Sequence, residues 1–280
     1  MDLWYSRSES PSTRWCVRVT RPLFSSEGKE GRVDVLETED FGRALAIDGC
    51  LALTEGEGFA QREMLVHAPL NVHPNVRAAL VVGARDCGTA TELLRYPQIE
   101  RIVLVEDDPV ILDAQRRFFP ESASALSDPR MRVAQEDAES FARESRDRFD
   151  LAIIQPRENP GEGGLGQSFY CDCFRLLSGD GILVAPAGSA YYAARRRELV
   201  SAVGKLKRLF PVYRFYRVDS PAAEGGSRLL SFASKKYEPV KDYDAERWAK
   251  RDIATRYYDA EVHRAAFALP RYIAEILEGC

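Results

Sequence analysis

The amino-acid sequence predicts an α/β protein, with a Rossmann-like, doubly wound sheet behind a small N-terminal antiparallel β domain. Three observations carry this reading. From residue 78 to residue 186, short apolar runs (AALVVGA, RIVLVE, MRVAQ, DLAIIQ, GILVAP) alternate with stretches long enough for helices. Nearly continuous apolar strands belong to a sheet buried on both faces, which is the parallel kind. The intervening stretches TATELLRY, DPVILDAQRRFF and ESFARESRDR have helical spacing, and Asp108-Pro109 supplies an N-cap with a first-turn proline. Ahead of them, residues 14–60 alternate apolar and polar residues in WCVRVTRPLF, GRVDVLETEDF and RALAIDGCLALT. Turn-formers such as SSEGKEG separate these runs, so they read as hairpins.

The chain accordingly divides into a β-hairpin domain, 1–58, and a Rossmann-like domain, 59–280. Phe59, Met64, Leu65 and Ala68 fall at helical spacing and supply a connecting helix from Phe59 to Pro69. After Tyr213, FYRVD and SRLLSFASKKY read as late strands, and RYYDAEVHRAAFALPRYIAEIL as a helical segment broken at Pro270.

Composition narrows the function. With 280 residues, 45% hydrophobic and 29% charged, the chain can form a full α/β enzyme core. Its net charge is only −4 and its basic residues are scattered, which argues against nucleic acid or an anionic membrane surface as partner. MDLWYSRSESPSTRW holds no apolar run suited to a signal peptide, and no stretch approaches the roughly 20 apolar residues of a membrane span, so a cytoplasmic protein is expected. Six cysteines, spread apart save for Cys171-Asp172-Cys173, lack C-x-x-C spacing and read as reduced thiols without a metal. His67, His73 and His263 likewise lack ligand spacing and read as packing residues, while Trp4, Trp15 and Trp248 suit a core or an interface.

The chemistry concentrates at strand ends. The first apolar strand runs into Gly83-Ala84-Arg85-Asp86-Cys87-Gly88 and then a helix, and in a doubly wound sheet a ligand lies outside the carboxyl ends of the strands. The second strand ends in Glu106, placed to accept hydrogen bonds from ribose hydroxyls, and the third is followed by Gln135-Glu136-Asp137. Acids at successive strand ends serve equally as helix caps. The order glycine turn, acid, acid suits a nucleoside with a sulfur-linked side chain, S-adenosylmethionine or a relative, better than a dinucleotide.

At this point the sequence resembles a family. LAIDGCLALTEGEGFAQREMLVHAPLNVHPNVRAALVVGARDCG is similar to a stretch of the spermidine synthases, the polyamine aminopropyltransferases, through Asp48-Gly49, Thr54-Glu55, Glu63-Met64, His67, Pro69-Leu70 and His73-Pro74. VLVEDDPVI, FFP, DPRMRV, GILVAP, SKKYEP and RYYDAEVHRAAFALP extend the resemblance over essentially the whole chain. It implies a class I methyltransferase-like sheet, a homodimer, and transfer of an aminopropyl group from decarboxylated S-adenosylmethionine to a diamine such as putrescine, leaving methylthioadenosine. It further implies that Asp86, Glu106 and Asp137, with Gly83 and Glu136 beside them, hold the aminopropyl end, ribose and adenine of that co-substrate, and that Glu57, Gln61 and Arg62 lie on the amine side.

The sequence departs from the family where the amine reacts. A primary alkylamine has a pKa of about 10.4, so freeing its lone pair at pH 7 costs roughly 4–5 kcal/mol, and a carboxylate beside it contributes about 10²–10⁴ in rate. In the family that acid ends the fourth strand; here Gln155-Pro156-Arg157-Glu158-Asn159 follows FDLAII. Gln155 cannot accept the proton, whereas Glu158 matches the motif's second acid, with Arg157 competing for its charge. Ala52, Gln61, Arg62, Pro186 and the run Ala223-Glu224-Gly225-Gly226 also replace the usual residues, and Ala84, Arg85 and Cys87 stand where glycines are usual. The nucleoside side is kept while the amine side is rewritten. Arg62 and Arg85 add positive charge, which disfavours putrescine, and a longer side chain in the glycine turn crowds the nucleoside or reaches its carboxylate if the ligand is S-adenosylmethionine itself. Three functions follow: an aminopropyltransferase of weakened or altered acceptor specificity, with Gln155 and Glu158 at the catalytic position; a catalytically deficient nucleoside-binding or regulatory relative; and an S-adenosylmethionine-dependent transferase acting on a non-polyamine acceptor.

Overall fold

The computed structural model describes residues 2–29, 31–155 and 165–280. Its first sheet is an antiparallel meander of β1 (Leu3–Ser10), β2 (Thr13–Gly28), β3 (Gly31–Thr38), β4 (Gly42–Ile47) and β5 (Cys50–Thr54), in that spatial order. Alternation sends Val33, Val35, Leu45 and Leu53 into the core. The β4–β5 hairpin closes on Asp48-Gly49, both at positive φ (+48° and +71°), the backbone a two-residue type I′ turn needs. β1 lies outside the hairpin region expected from residue 14 onward.

The second sheet has seven strands in the order β11, β12, β10, β9, β6, β7, β8. Their spans are β6 (Ala78–Val82), β7 (Arg101–Val105), β8 (Met131–Ala134), β9 (Phe149–Ile154), β10 (Leu177–Pro186), β11 (Val212–Asp219) and β12 (Ser227–Ser234). β8, β7, β6, β9 and β10 are parallel, and β12 pairs antiparallel with both β10 and β11. The doubly wound expectation holds, with an antiparallel edge. The chain leaves β6 towards β7 and β8, then returns to β9 on the other side of β6. That reversal is the topological switch point, where open α/β sheets take their ligands.

Helices cover both faces. α1 (Gly58–Leu70) joins the sheets, and nine of its residues are buried between them. α2 (Gly88–Leu94) follows β6; α3 (Pro109–Phe118) follows β7, and the short α4 (Pro120–Ala123) follows α3. α5 (Ala138–Glu144) follows β8, and α6 (Gln167–Leu176) precedes β10. Asp108 caps α3 by accepting from Val110 N, with Pro109 in the first turn, as the sequence indicates. α7 (Ala193–Leu209) and α8 (Ala245–Arg251) were not read from the sequence, whereas α9 (Ala260–Ala266) and α10 (Arg271–Glu278) flank the expected break at Pro270.

The C-terminal segment is tied to α1 by Glu63, whose buried carboxylate accepts the backbone amides of Arg256, Tyr257 and Tyr258 at 2.8–3.0 Å. His67 sits among Tyr96, Trp248 and Tyr258, and His263 among Tyr243, Tyr258 and Phe267; both are fully buried packing residues. His73 packs on Tyr237. None of the six cysteines is in a disulfide. Among the described residues no helix is long and apolar enough to cross a membrane.

Candidate functional site

The register of the parallel strands places the predicted residues in a row along the carboxyl edge of the sheet. In the spatial order β9, β6, β7, β8 these are Gln155, then Gly83 to Asp86, then Glu106, then Glu136 and Asp137. The turn after β6 is drawn tight against β9. Gly83 has φ of +90°, and a Cβ there would lie 2.5 Å from the Gln155 carbonyl oxygen, so the position requires glycine. Gly83 N donates to Val105 O and Gln155 N to Val82 O, which fixes the turn between its two neighbouring strands.

Glu106 is buried and clamps that turn, accepting Ala84 N at 2.8 Å through one oxygen and Asp108 N at 2.9 Å through the other. Gln115, on the buried face of α3, donates to Ala84 O at 3.0 Å and Arg85 O at 2.7 Å. Sequence reasoning missed Gln115; its signal is a polar residue beside the inward-facing Ile111, Leu112 and Ala114. Arg85 is buried. Cys87 is buried as well, and that burial, with Asp86 and Glu106 nearby, pushes its thiol far above the ordinary range, so it remains protonated. Asp137 is exposed and caps α5 through Ser140 N at 2.8 Å, and Glu136 beside it is exposed.

Gln155 is 6% exposed and has both ends of its amide engaged. Its Oε1 accepts Asp86 N at 3.2 Å, and its Nε2 donates to Thr89 Oγ1 at 2.9 Å in the first turn of α2. Thr89, which no sequence argument singled out, gives this glutamine its structural reason. Glu158, with Pro156, Arg157 and Asn159, lies outside the described residues.

Asp86 itself is paired. Arg62, projecting from α1, donates Nε to Asp86 Oδ2 at 3.0 Å and Nη2 to Oδ1 at 3.2 Å, and Gly88 N donates to Oδ1 at 2.8 Å. Burial acts against the Arg62 charge, but Asp86, with Glu92 and Glu63 behind it, more than compensates and holds the guanidinium above its ordinary pKa. On the other side of Asp86 lies a cavity of about 20 Å³, lined by Ala52, Thr54, Glu57, Gln61, Asp86 and Ser220 among others. The structure thus brings Glu57 and Gln61 to Asp86. As the described residues shape it, the cavity has room for about one water. Arg62 faces away from it into a pocket of about 400 Å³ shared with Arg43, Phe59, Glu121, Ser122 and Arg256. No group of three or more potential metal ligands occurs among the described residues.

Comparison with known proteins decides the family. A model of the spermine/spermidine synthase domain matches residues 58–244, and one of the spermidine synthase tetramerisation domain matches residues 3–55. The chain belongs to the spermine/spermidine synthase family. A polyamine aminopropyltransferase of Clostridium beijerinckii is 38% identical over 281 residues, covering 100% of this chain and 99% of its own. One of Lachnospira eligens is 39% identical, covering 99% of this chain and 98% of its own. Among solved structures, spermidine synthase from Thermotoga maritima superposes with a TM-score of 0.91 at 29% identity, over 99% of this chain and 94% of that one. A spermidine synthase in complex with the transition-state analogue AdoDATO gives 0.93 at 28% identity, over 99% of this chain and 96% of that one. The two-sheet architecture is therefore the spermidine synthase fold.

Proposed function

We propose that this family member binds an adenosyl nucleoside along the carboxyl edge of β6, β7 and β8 and acts as an aminopropyltransferase with an acceptor range changed from that of a simple diamine. The observation that carries the reading is the row of acids on three neighbouring strand ends, Asp86, Glu106 and Asp137, beside a cavity bounded by Glu57 and Gln61. Family membership supplies the class of reaction, and the relatives named polyamine aminopropyltransferase agree with it.

The residues fit the family's co-substrate, decarboxylated S-adenosylmethionine, in part. The Gly83 turn lets backbone approach a ligand, and Glu106, oriented by two amides, stands where a ribose would be read. At the aminopropyl end the fit fails, because the Asp86 carboxylate that would take the ammonium is already matched by Arg62. On the acceptor side, Gln155 spends its oxygen on Asp86 N and its amino group on Thr89. It holds the glycine turn and α2 together and does not take up the acceptor's proton. That observation favours a second reading, a nucleoside-binding relative that has given up turnover.

We also propose self-association as a homodimer, with the N-terminal sheet of residues 1–58 contributing to assembly and residues 59–280 carrying the site. The test is calorimetric titration with methylthioadenosine and decarboxylated S-adenosylmethionine, followed by an assay of methylthioadenosine release with a panel of di- and triamines. Amine-dependent release supports the transferase. Methylthioadenosine binding without release from any amine supports the second reading, and no nucleoside binding rejects both.

A further inference from the structure

We propose that Arg7 is a positioning residue for the acceptor: from the edge strand β1 it holds the loop of residues 220–226 onto the N-terminal sheet and so fixes the acceptor side of the cavity beside Asp86. This rests on the transferase reading given above and deepens it at the same site.

The loop joins β11 to β12 and lines that cavity with Ser220 and Ala222, while Leu51, Ala52 and Leu53 of β5 line it from the N-terminal sheet. The shape of the cavity therefore depends on how the loop sits on that sheet. Ala222 is buried against Ala44 and Leu51, with Tyr5, Trp15 and Phe41 packed around them. Arg7 holds the same residue by its backbone, donating Nη2 to Ala222 O at 3.3 Å. Within the loop Ala223 N donates to Ser220 O, Gly226 N to Ala223 O and Ser220 N to Gly226 O, so a hold on Ala222 is passed to Ser220. The loop also meets Tyr191, 3.2 Å from where a Cβ on Gly225 would stand, and Tyr191 lies against Tyr272 of α10. Both tyrosines are exposed whereas Arg7 is buried, which makes Arg7 the firmer anchor.

Arg7 is 4% exposed on a strand whose Leu3 and Trp4 face solvent. Taking a guanidinium out of water is costly, and an apolar side chain would fill the same space without that cost. What the guanidinium adds is direction. It lies over the Trp15 ring, 5.6 Å from the centroid, and Arg7 and Trp15 stand opposite each other in the β1–β2 register. The ring fixes the planar group, and an N–H of its rigid fork then meets Ala222 O. Ala222, Ala223, Gly225 and Gly226 carry no polar side chain, so the backbone carbonyl is what a tether can grip, and a cationic donor grips it more strongly than a neutral one. Loss of the tether loosens the acceptor side of the cavity and leaves the Gly83 turn and Glu106, which are held by Val105 O and by the amides of Ala84 and Asp108, as they are.

The test compares the full chain with Arg7→Met, which keeps bulk over Trp15 but cannot donate, and Arg7→Lys, which keeps the charge without the fork. Three quantities are measured: methylthioadenosine affinity, the KM and kcat of methylthioadenosine release for the best amine of a di- and triamine panel, and hydrogen exchange of the amides of residues 220–226. In Arg7→Met the acceptor KM is expected to rise about tenfold, the scale of one charge-assisted hydrogen bond, with kcat within about twofold and methylthioadenosine affinity unchanged. Exchange in the loop quickens by about fivefold or more while β6 and α2 keep their rates. Arg7→Lys restores part of the acceptor KM and serves if Arg7→Met does not fold. An acceptor KM unchanged in the variants overturns the proposal, as does unchanged exchange in the loop. So does a lowered melting temperature with KM, kcat and methylthioadenosine affinity all worsened alike, which marks Arg7 as merely structural. A wild-type chain that binds methylthioadenosine but releases none with any amine rejects the transferase reading, and the acceptor role falls with it even where the loop's exchange responds to Arg7→Met.

Discussion

Replacing Gln155 by glutamate isolates the electrostatics of the switch point, because the change keeps shape and exchanges an amide for an acid. Both hydrogen-bond partners survive it: a carboxylate oxygen can still accept Asp86 N, and the Thr89 hydroxyl can turn from acceptor to donor. What changes is a second carboxylate, buried like the glutamine at 6% exposure and adjacent to Asp86. Burial and a like charge each raise a carboxyl pKa, here by about 2 units above an ordinary value of about 4.3. At about 1.36 kcal/mol per unit, the ionised variant is less stable than wild type by about 3 kcal/mol. The sign follows from proton counting. Between about pH 4.3 and 6.3 the folded variant keeps a proton that the unfolded chain has lost, so its stability falls as pH rises through that window and stays low above it. Urea denaturation of wild type and Gln155→Glu at several pH values reads this as a difference that is near zero at pH 4 and full by pH 8. Gln155→Ala gives a contrasting profile, a loss of about 1–3 kcal/mol independent of pH, because it strands the Asp86 amide and the Thr89 hydroxyl. A pH-independent loss for Gln155→Glu would refute the placement of this residue against Asp86.

Two further substitutions test the frame around the site. Gly83→Ala, which needs φ of +90° and meets the Gln155 carbonyl at 2.5 Å, should cost about 3 kcal/mol or more, visible in a thermal melt. His263 accepts from Tyr258 Oη at Nδ1 and donates from Nε2 to Pro239 O, and burial lowers its pKa to about 4. Since the unfolded histidine titrates at about 6.5, the unfolded chain binds the extra proton between these values. Its contribution is complete above pH 6.5 and is lost as pH falls towards 4, by about 2–4 kcal/mol. His263→Gln should therefore be less stable at pH 7 but show a shallower loss between pH 6.5 and 4; an unchanged slope would exclude His263 as the group responsible.

The parts of the fold legible in the sequence are those whose side chains follow one rule along their length. Strands β6, β7, β9 and β10 are apolar on both faces because helices cover both, and that continuity is visible without any partner. β1 gives no such signal: Leu3 and Trp4 are exposed, and among its described side chains the buried one is Arg7, lying over Trp15. α8 has no buried residue and so has no apolar face to read. α7 is different, since Leu199, Val203 and Leu206 are buried at helical spacing and could have been found.

The site divides in the same way. Once β6, β7 and β8 are recognised as neighbours, the positions of Asp86, Glu106 and Asp137 follow from strand order, because Asp86 and Glu106 are each the first acid past a strand end and Asp137 is the second, directly after Glu136. What each carboxylate does there depends on contacts that no local pattern encodes. Arg62 precedes Asp86 by 24 residues and meets it only because α1, wedged between the sheets, presents that side chain to the turn after β6. Gln155 reads in the sequence as a lost acid, whereas in the folded chain it is an amide with two partners, one of them Thr89 on a different element. Arg62 and Gln155 act on opposite sides of one residue, Arg62 on the Asp86 carboxylate and Gln155 on the Asp86 amide. They therefore form one coupled unit, and single reversions should not add. Changing Gln155 to an acid while Arg62 remains leaves Asp86 paired, and changing Arg62 alone frees Asp86 without placing an acid at position 155. A double-mutant cycle on binding and turnover measures that coupling directly, and additivity of the two single changes would separate them.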